Sequence, residues 1–202
     1  TAGKEFPIVK DGVFRNFQMA LGQAALIGRE GGSNGCAYAD SFDAFPIQRM
    51  PNISLQAGDD PTVTAASLIA DVEDGIYIEG NGSWSIDQQR YNFQFTGQVF
   101  HRIRQGKLDG MLRDVAYQGN SVDFWNTCDG LGGASTYELG GAMNCGKGQP
   151  AQIAPVSHGA VPARFRQINV LNTVRESGDA IAAAMRGEPV RGCGCRGARE
   201  WA

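Results

Sequence analysis

The sequence predicts an α+β protein dominated by β-structure, with antiparallel sheets in a barrel-like domain and one or two short helices. Apolar and polar residues alternate in several short segments, which is typical of half-buried strands. These segments follow one another too closely for helices to connect parallel strands. Glycine accounts for 28 of 202 residues, roughly twice its average share, which indicates many turns and close backbone approaches.

The first elements are predicted from local signals near the amino terminus. Asp11-Gly12 lies between two apolar runs, which is a strong hairpin signal. Met19 to Ile27 fits a short helix with Ala20, Ala24 and Ile27 on one face.

A better-defined helix is expected after Gly58. Asp59-Asp60 can cap its amino terminus, and Pro61 suits the first turn. Apolar residues then recur at helical spacing from Ala65 to Val72, and Gly75 stands where a helix commonly ends.

Beyond Gly75 the apolar period changes to about two, which predicts strands at 76–78, 84–86, 91–96, 99–104, 108–115 and 167–171. Gln105-Gly106 is the expected turn of a hairpin between two of them. An alanine-rich helix is expected at 180–185. We therefore predict one β-rich domain over residues 1–187 and a flexible tail rich in Gly, Arg and Cys over residues 188–202.

Composition excludes several function classes. Charged residues make up 19% of the chain, the formal net charge is -3, and no basic face or stripe is apparent, so no nucleic-acid partner is expected. No apolar run approaches the roughly 18 residues of a membrane helix, so no membrane partner is expected. Five cysteines at irregular spacing are a poor disulfide framework and favour a reducing, cytoplasmic location.

The segment 140–150, Gly-Gly-Ala-Met-Asn-Cys-Gly-Lys-Gly-Gln-Pro, can carry chemistry. A nucleotide-binding loop is one interpretation, because Gly141 to Lys147 fits a Gly, four residues, Gly-Lys pattern. However, Gly148 stands where a Ser or Thr hydroxyl should hold magnesium, and Gln149-Pro150 cannot open the required helix.

The other interpretation is a cysteine, Cys145, presented on a glycine-rich turn. A thiolate is a natural ligand of zinc or iron, although a lone cysteine is more commonly a small buried apolar residue. One cysteine cannot complete a metal site, and His101 and His158 lack the spacing of ligands. Cys193 and Cys195 form a second group, which could bind a soft metal or simply belong to the tail.

Several motifs in order along the chain together resemble the TldD/PmbA family, once called modulators of DNA gyrase. The resemblance spans roughly Lys4 to Val174 and rests on Arg49-Met50-Pro51-Asn52, Val72-Glu73-Asp74-Gly75-Ile76-Tyr77-Ile78, Gly106-Lys107 and Asn144-Cys145-Gly146-Lys147-Gly148-Gln149.

The resemblance implies a metallopeptidase whose His-Glu-x-x-x-His helix supplies two histidine ligands and a general-base glutamate. That helix is expected upstream of Thr1, so no catalytic residue is expected in this chain. Cys145 matches the family's third ligand, and His158 is a weaker candidate for a hydrogen-bond donor near the metal. The expected cofactor is zinc or iron in the full-length parent and none in this fragment, which is predicted to be inactive alone.

The same resemblance implies extended peptides or unfolded proteins as substrates and a homodimer or heterodimer with another TldD/PmbA-type subunit. A non-catalytic subunit that shapes the peptide chamber of its partner is the alternative. A nucleic-acid-associated regulator rests only on the family's older name, and the charge balance argues against it.

Overall fold

The computed structural model describes residues 3–175, which contain fifteen short strands, three α-helices and one 3-10 helix. The strands are β1 Val9–Lys10, β2 Val13–Phe14, β3 Ala37–Tyr38, β4 Ile47–Gln48, β5 Asp74–Glu79, β6 Trp84–Ile86, β7 Asn92–Thr96, β8 Val99–Arg104, β9 Lys107–Leu112, β10 Val115–Asn120, β11 Cys128–Leu131, β12 Glu138–Lys147, β13 Gln152–Ala160, β14 Ala163–Phe165 and β15 Asn169–Asn172. The helices are α1 Gln23–Leu26, α2 Ala65–Ala70 and α3 Ser121–Asn126, and the 3-10 helix is Ala134–Thr136.

Every strand pairing within this range is antiparallel. The β-dominated α+β class predicted from the sequence is therefore confirmed. None of the helices within the described range is long and apolar enough to cross a membrane.

The chain divides into two compact units. Unit 1 contains residues 1–57 and 136–161, and unit 2 contains residues 58–135 and 162–202. The predicted domain boundary at 187 stays a prediction. The predicted helix at 180–185 and the tail with Cys193 and Cys195 lie outside the described residues.

Unit 1 is built from three two-stranded hairpins, β1-β2, β3-β4 and β12-β13. The first confirms the hairpin predicted at Asp11-Gly12. The longest is β12-β13, whose inward face carries Ala154 and Val156, exposed by only 8% and 7%. The predicted helix at 19–27 is shortened to α1. Gly22 lies at the amino-terminal cap of α1 and has a left-handed conformation with φ 83°, so the helix cannot begin earlier.

Unit 2 contains a four-stranded sheet in the order β15-β10-β7-β6, a three-stranded sheet in the order β5-β8-β9, and the pair β11-β14. Strands β5 to β8 and β15 confirm the predicted strands, with ends shifted by one or two residues in places. The predicted strand at 108–115 is instead split between β9 and β10, because Asp114 takes a positive φ of 59°.

Helix α2 confirms the predicted helix, but both of its predicted ends are wrong. The amino-terminal cap is Thr64, whose hydroxyl accepts from the Ser67 backbone N–H at 3.2 Å while the Ser67 hydroxyl accepts from the Thr64 N–H at 2.7 Å. The Asp60 carboxylate accepts instead from Thr62. Gly75 is not a helix stop, because it lies in β5 opposite Ile103.

The turn between β8 and β9 confirms the hairpin predicted at Gln105-Gly106. Gly106 has φ +74°, and a Cβ atom there would lie 2.5 Å from the Ala70 carbonyl oxygen. Glycine is required at this position for both reasons. The turn thereby packs closely against the carboxyl end of α2.

Candidate metal-ligand site

Cys145 lies within strand β12, so the prediction of a cysteine on a turn is wrong. The strand continues to Lys147 and pairs with β13, and the connecting turn comes afterwards, between 148 and 151. The glycines of this segment therefore serve a hairpin. Because Gly141 to Lys147 lie in a strand that is followed by another strand, a nucleotide-binding loop is also excluded.

A β-bulge determines the face of the hairpin on which Cys145 lies. Ala142 pairs with Val156 and Cys145 pairs with Ala154. Between these two pairs β12 advances by three residues and β13 by only two, so β12 contains one extra residue. This extra residue places Cys145 on the same face as Ala142, Ala154 and Val156. Met143 is 84% exposed.

The side chain of Cys145 is half-buried, and its sulfur accepts a hydrogen bond from Nη2 of Arg49. Arg49 directly follows β4 and is only 9% exposed. Arg49 begins the motif Arg49-Met50-Pro51-Asn52, and its contact with Cys145 was not predicted from the sequence. The two residues are 96 positions apart, and no local pattern in the sequence signals such a contact.

His158 lies on β13, and it is anchored by main-chain groups of Ile53. Its Nδ1 lies 3.2 Å from the Ile53 nitrogen and 3.0 Å from the Ile53 oxygen. His158 pairs with Gly140, whereas Cys145 pairs with Ala154. Ala154 and His158 are four residues apart on β13, which corresponds to a rise of about 13 Å along the strand. The register thus does not bring His158 to Cys145, and a role near a metal stays a prediction.

The remaining cysteines and histidines of residues 3–175 do not form a group of metal ligands. Burial raises the pKa of the Cys36 thiol, and burial likewise raises the pKa of the Cys128 thiol in unit 2. His101 stacks on Tyr77 at a centroid distance of 6.4 Å. No group of three or more His, Cys, Asp or Glu side chains in this range could hold a metal ion.

The donor chemistry therefore fits a metal only in part. Cys145 is a half-buried sulfur that already accepts one charged hydrogen bond, as ligating thiolates commonly do from outer residues. It can serve as a single soft ligand of zinc or iron. Within the described range it belongs to no group of three or more His, Cys, Asp or Glu side chains that could hold a metal ion.

The two edges of the β12-β13 hairpin differ. The outer edge of β13 is covered, since its main-chain groups at Ile153, Ser157 and Gly159 bond to Asp40 and to residues 52–55. In residues 3–175, no main-chain hydrogen bond reaches the other side of β12. Among the described residues, the strand that carries Cys145 therefore has an unpaired edge, which we call its free edge.

Comparison with known sequences gives consistent results. Residues 1–171 match the family described as PmbA/TldA metallopeptidase C-terminal domain. A metalloprotease from Methanothermobacter thermautotrophicus is 31% identical over 170 residues, which cover 84% of this chain and 35% of the relative. One from Archaeoglobus fulgidus is 30% identical over 159 residues, which cover 79% and 34%. The chain thus spans about a third of the length of these relatives.

Solved structures support the fold. A Thermotoga maritima protein described as a candidate modulator of a DNA gyrase superposes with a TM-score of 0.59 at 14% identity, over 85% of this chain and 34% of that one. TldE from Thermococcus kodakarensis gives a TM-score of 0.51 at 16% identity, over 77% and 33%. At such low identity these similarities concern the fold alone.

Proposed function

Because this chain belongs to the PmbA/TldD family of metallopeptidase C-terminal domains, we propose that it is the carboxy-terminal part of a metal-dependent peptidase. In this proposal Cys145 is one ligand of a zinc or iron ion. The observation that carries it is the position of Cys145, half-buried beside Arg49 on a strand with a free edge. The histidine ligands and the general-base glutamate come from a segment upstream of Thr1.

A metal held in part by Cys145 would supply a bound water of lowered pKa and would polarise the scissile carbonyl. The contribution of this chain is to hold a sulfur and to align the substrate. Two histidines from the upstream segment and the Cys145 thiolate would hold the metal, a ligand set that is compatible with hydrolysis. One ligand cannot hold a catalytic ion, so the isolated chain is inactive.

The substrate we propose is an extended or unfolded peptide that adds as a strand to the free edge of β12. Main-chain hydrogen bonds from a strand edge recognise extended chains with little regard to sequence. Leu139 and Met143 are 70% and 84% exposed on this strand and can contact apolar substrate side chains. A peptide bound there lies beside Cys145. The working assembly is a dimer with a second subunit of the same family, either identical or different.

The decisive experiment replaces Cys145 in the parent polypeptide that carries the upstream helix. We expect Cys145→Ala to weaken metal binding by more than about a hundredfold, beyond the range for residues outside the ligand sphere, and to abolish peptide cleavage. Elemental analysis and a peptide-cleavage assay measure the two effects. Cys128→Ala, in unit 2, is the matched control and should retain both.

Unchanged metal content in Cys145→Ala would refute the proposal. A parent without an intact His-Glu-x-x-x-His sequence would instead indicate the non-catalytic partner subunit. For the isolated chain, we expect no peptidase activity and weak zinc binding when Cys193 and Cys195 are replaced by serine. Stoichiometric zinc in that variant would contradict the assignment of the other ligands to an upstream segment.

A further inference from the structure

We propose that Arg49 is a positioning residue that fixes the sulfur of Cys145 for metal ligation. The inference rests on the proposed function, and it concerns a residue other than the ligand itself. The supporting observation is a comparison among the three buried polar residues of the described range, Asn34, Arg49 and Gln152, all of which belong to unit 1.

Two of these residues have a complete structural explanation. The Asn34 side chain accepts from the Met19 N–H at 2.8 Å and donates to the Phe17 carbonyl at 2.6 Å. The Gln152 side chain accepts from the Asp40 N–H at 3.1 Å and donates to the Phe45 carbonyl at 2.8 Å. Both satisfy main-chain groups that would otherwise lack partners, which is the usual reason to bury an amide.

Arg49 differs because its side-chain hydrogen bond goes to another side chain, the Cys145 sulfur. Its buried Nε has no hydrogen-bond partner, and no carboxylate in residues 3–175 forms an ion pair with it. Burial of a cation without a counter-charge is unfavourable. A structural role alone would therefore be a poor reason to bury this guanidinium.

The backbone of Arg49 is held in place, which makes the side chain suitable for positioning. Its N–H donates to the Cys36 carbonyl at 2.8 Å, directly after β4 pairs with β3. The guanidinium is planar and directional, so it restricts the rotation of the Cys145 side chain about its Cα–Cβ bond. A sulfur that accepts this bond on one side keeps other lone pairs for a metal.

A double-mutant cycle in the 202-residue chain tests the contact. Hydrogen exchange of the β12 and β13 amides is measured in the wild type, Arg49→Met, Cys145→Ala and the double variant. We expect coupling of roughly tenfold in the opening equilibrium, within the range for residues in contact. Additive effects would overturn the proposal, whatever the metal chemistry of the parent.

Metal binding in the parent tests the role. We expect Arg49→Met to weaken zinc affinity by about 10- to 100-fold, as removal of residues that orient a ligand commonly does. Arg49→Lys should recover part of this loss. Asn34→Leu, which removes a buried polar group without contact to Cys145, should leave zinc affinity unchanged. Equal zinc loss in Arg49→Met and Asn34→Leu would identify Arg49 as structural only.

The two proposals can fail separately. If Cys145→Ala keeps its metal while the cycle shows coupling, the proposed function fails and the contact stands. If Cys145→Ala loses its metal while Arg49→Met binds zinc normally, the ligand assignment stands and the positioning role is refuted.

Discussion

The two units of this chain differ in the polar side chains that they bury, although both bury apolar ones. The buried side chains in the described part of unit 2 are apolar, and one of them, Phe93, packs in an aromatic cluster with the half-buried Phe95, Tyr117, Phe124 and Phe165 and the exposed Trp125. All six ion pairs of the described residues belong to unit 2. Unit 1 also buries apolar side chains, such as Met19 and Val156, but in addition it buries an asparagine, an arginine and a glutamine.

This difference separates a structural unit from one that holds a candidate site. Apolar burial is the ordinary source of stability and says little about function. A buried polar side chain must be explained by a specific partner. Two of the three in unit 1 are explained by main-chain partners, and Arg49, which remains, contacts Cys145.

The largest expected effect concerns the aromatic cluster of unit 2. Phe93 is 8% exposed and packs against Phe124 at a centroid distance of 5.1 Å. We expect Phe93→Ala to destabilise unit 2 by about 3–5 kcal/mol, because it removes apolar burial and leaves a cavity. Urea unfolding followed by tryptophan fluorescence measures the loss, since Trp84 and Trp125 lie in this unit.

Tyr91→Ala is the matched control for Phe93→Ala. Tyr91 precedes β7 and is 52% exposed, so its loss should be below about 1 kcal/mol. Equal losses in the two variants would show that the cluster is not the core of unit 2.

A smaller effect is expected from a buried polar group of unit 1. Gln152→Met keeps a side chain of similar length but leaves the Asp40 N–H and the Phe45 carbonyl without partners. We expect a loss of about 2 kcal/mol, measured by hydrogen exchange of the β12 and β13 amides. Gln94→Met, at an exposed position of β7, should change stability by less than about 0.5 kcal/mol. If Gln152→Met does not change the stability, the hydrogen bonds of this buried side chain do not stabilise unit 1.

Unit 2 was the easier part to predict from the sequence. Alternation in 76–78, 84–86 and 91–96 reports directly on strands that have one buried face. Helix α3 was missed although it is as long as α2. The helical period of α2 continues beyond the helix to Val72, whereas α3 offers only Val122 and Trp125 at helical spacing. Its one local signal is Asn120, whose side chain accepts from the N–H groups of Val122 and Asp123.

Unit 1 was harder to predict because its site depends on distant contacts. The choice of Cys145 as a candidate ligand stays a prediction, and the turn predicted around it is a strand, because the four nearby glycines also suit a loop. Strict alternation would place Cys145 and Ala142 on opposite faces, and only the bulge brings them to the same one. Likewise, Tyr137 packs over Gly159, where a Cβ atom would clash with the Tyr137 ring. No pattern in the sequence indicates this contact.

The smallest expected effect concerns the ion pairs that distinguish unit 2. Although burial opposes it, bonds from Arg164 and Arg166 lower the pKa of Asp129 below its usual range. A carboxyl group whose pKa is lower in the folded state stabilises the fold above its unfolded pKa, and the contribution disappears as the pH falls through the folded value. About a third of the Asp129 side chain is exposed, at 35%. Because solvent screens the pair, we expect Asp129→Asn to lose about 1 kcal/mol at pH 7.

Urea unfolding of the wild type and Asp129→Asn from pH 7 to pH 2 measures this contribution, and the two curves should converge at the acid end. Asp109→Asn, which breaks only the exposed pair with Arg104 at 3.6 Å, should show a smaller difference. A gap between the wild-type and Asp129→Asn curves that does not depend on pH would mean that Asp129 acts by packing or by hydrogen bonds that an amide also makes. Electrostatic attraction in this ion pair would then contribute nothing to the stability of unit 2. The two units would differ only in the polar side chains that they bury.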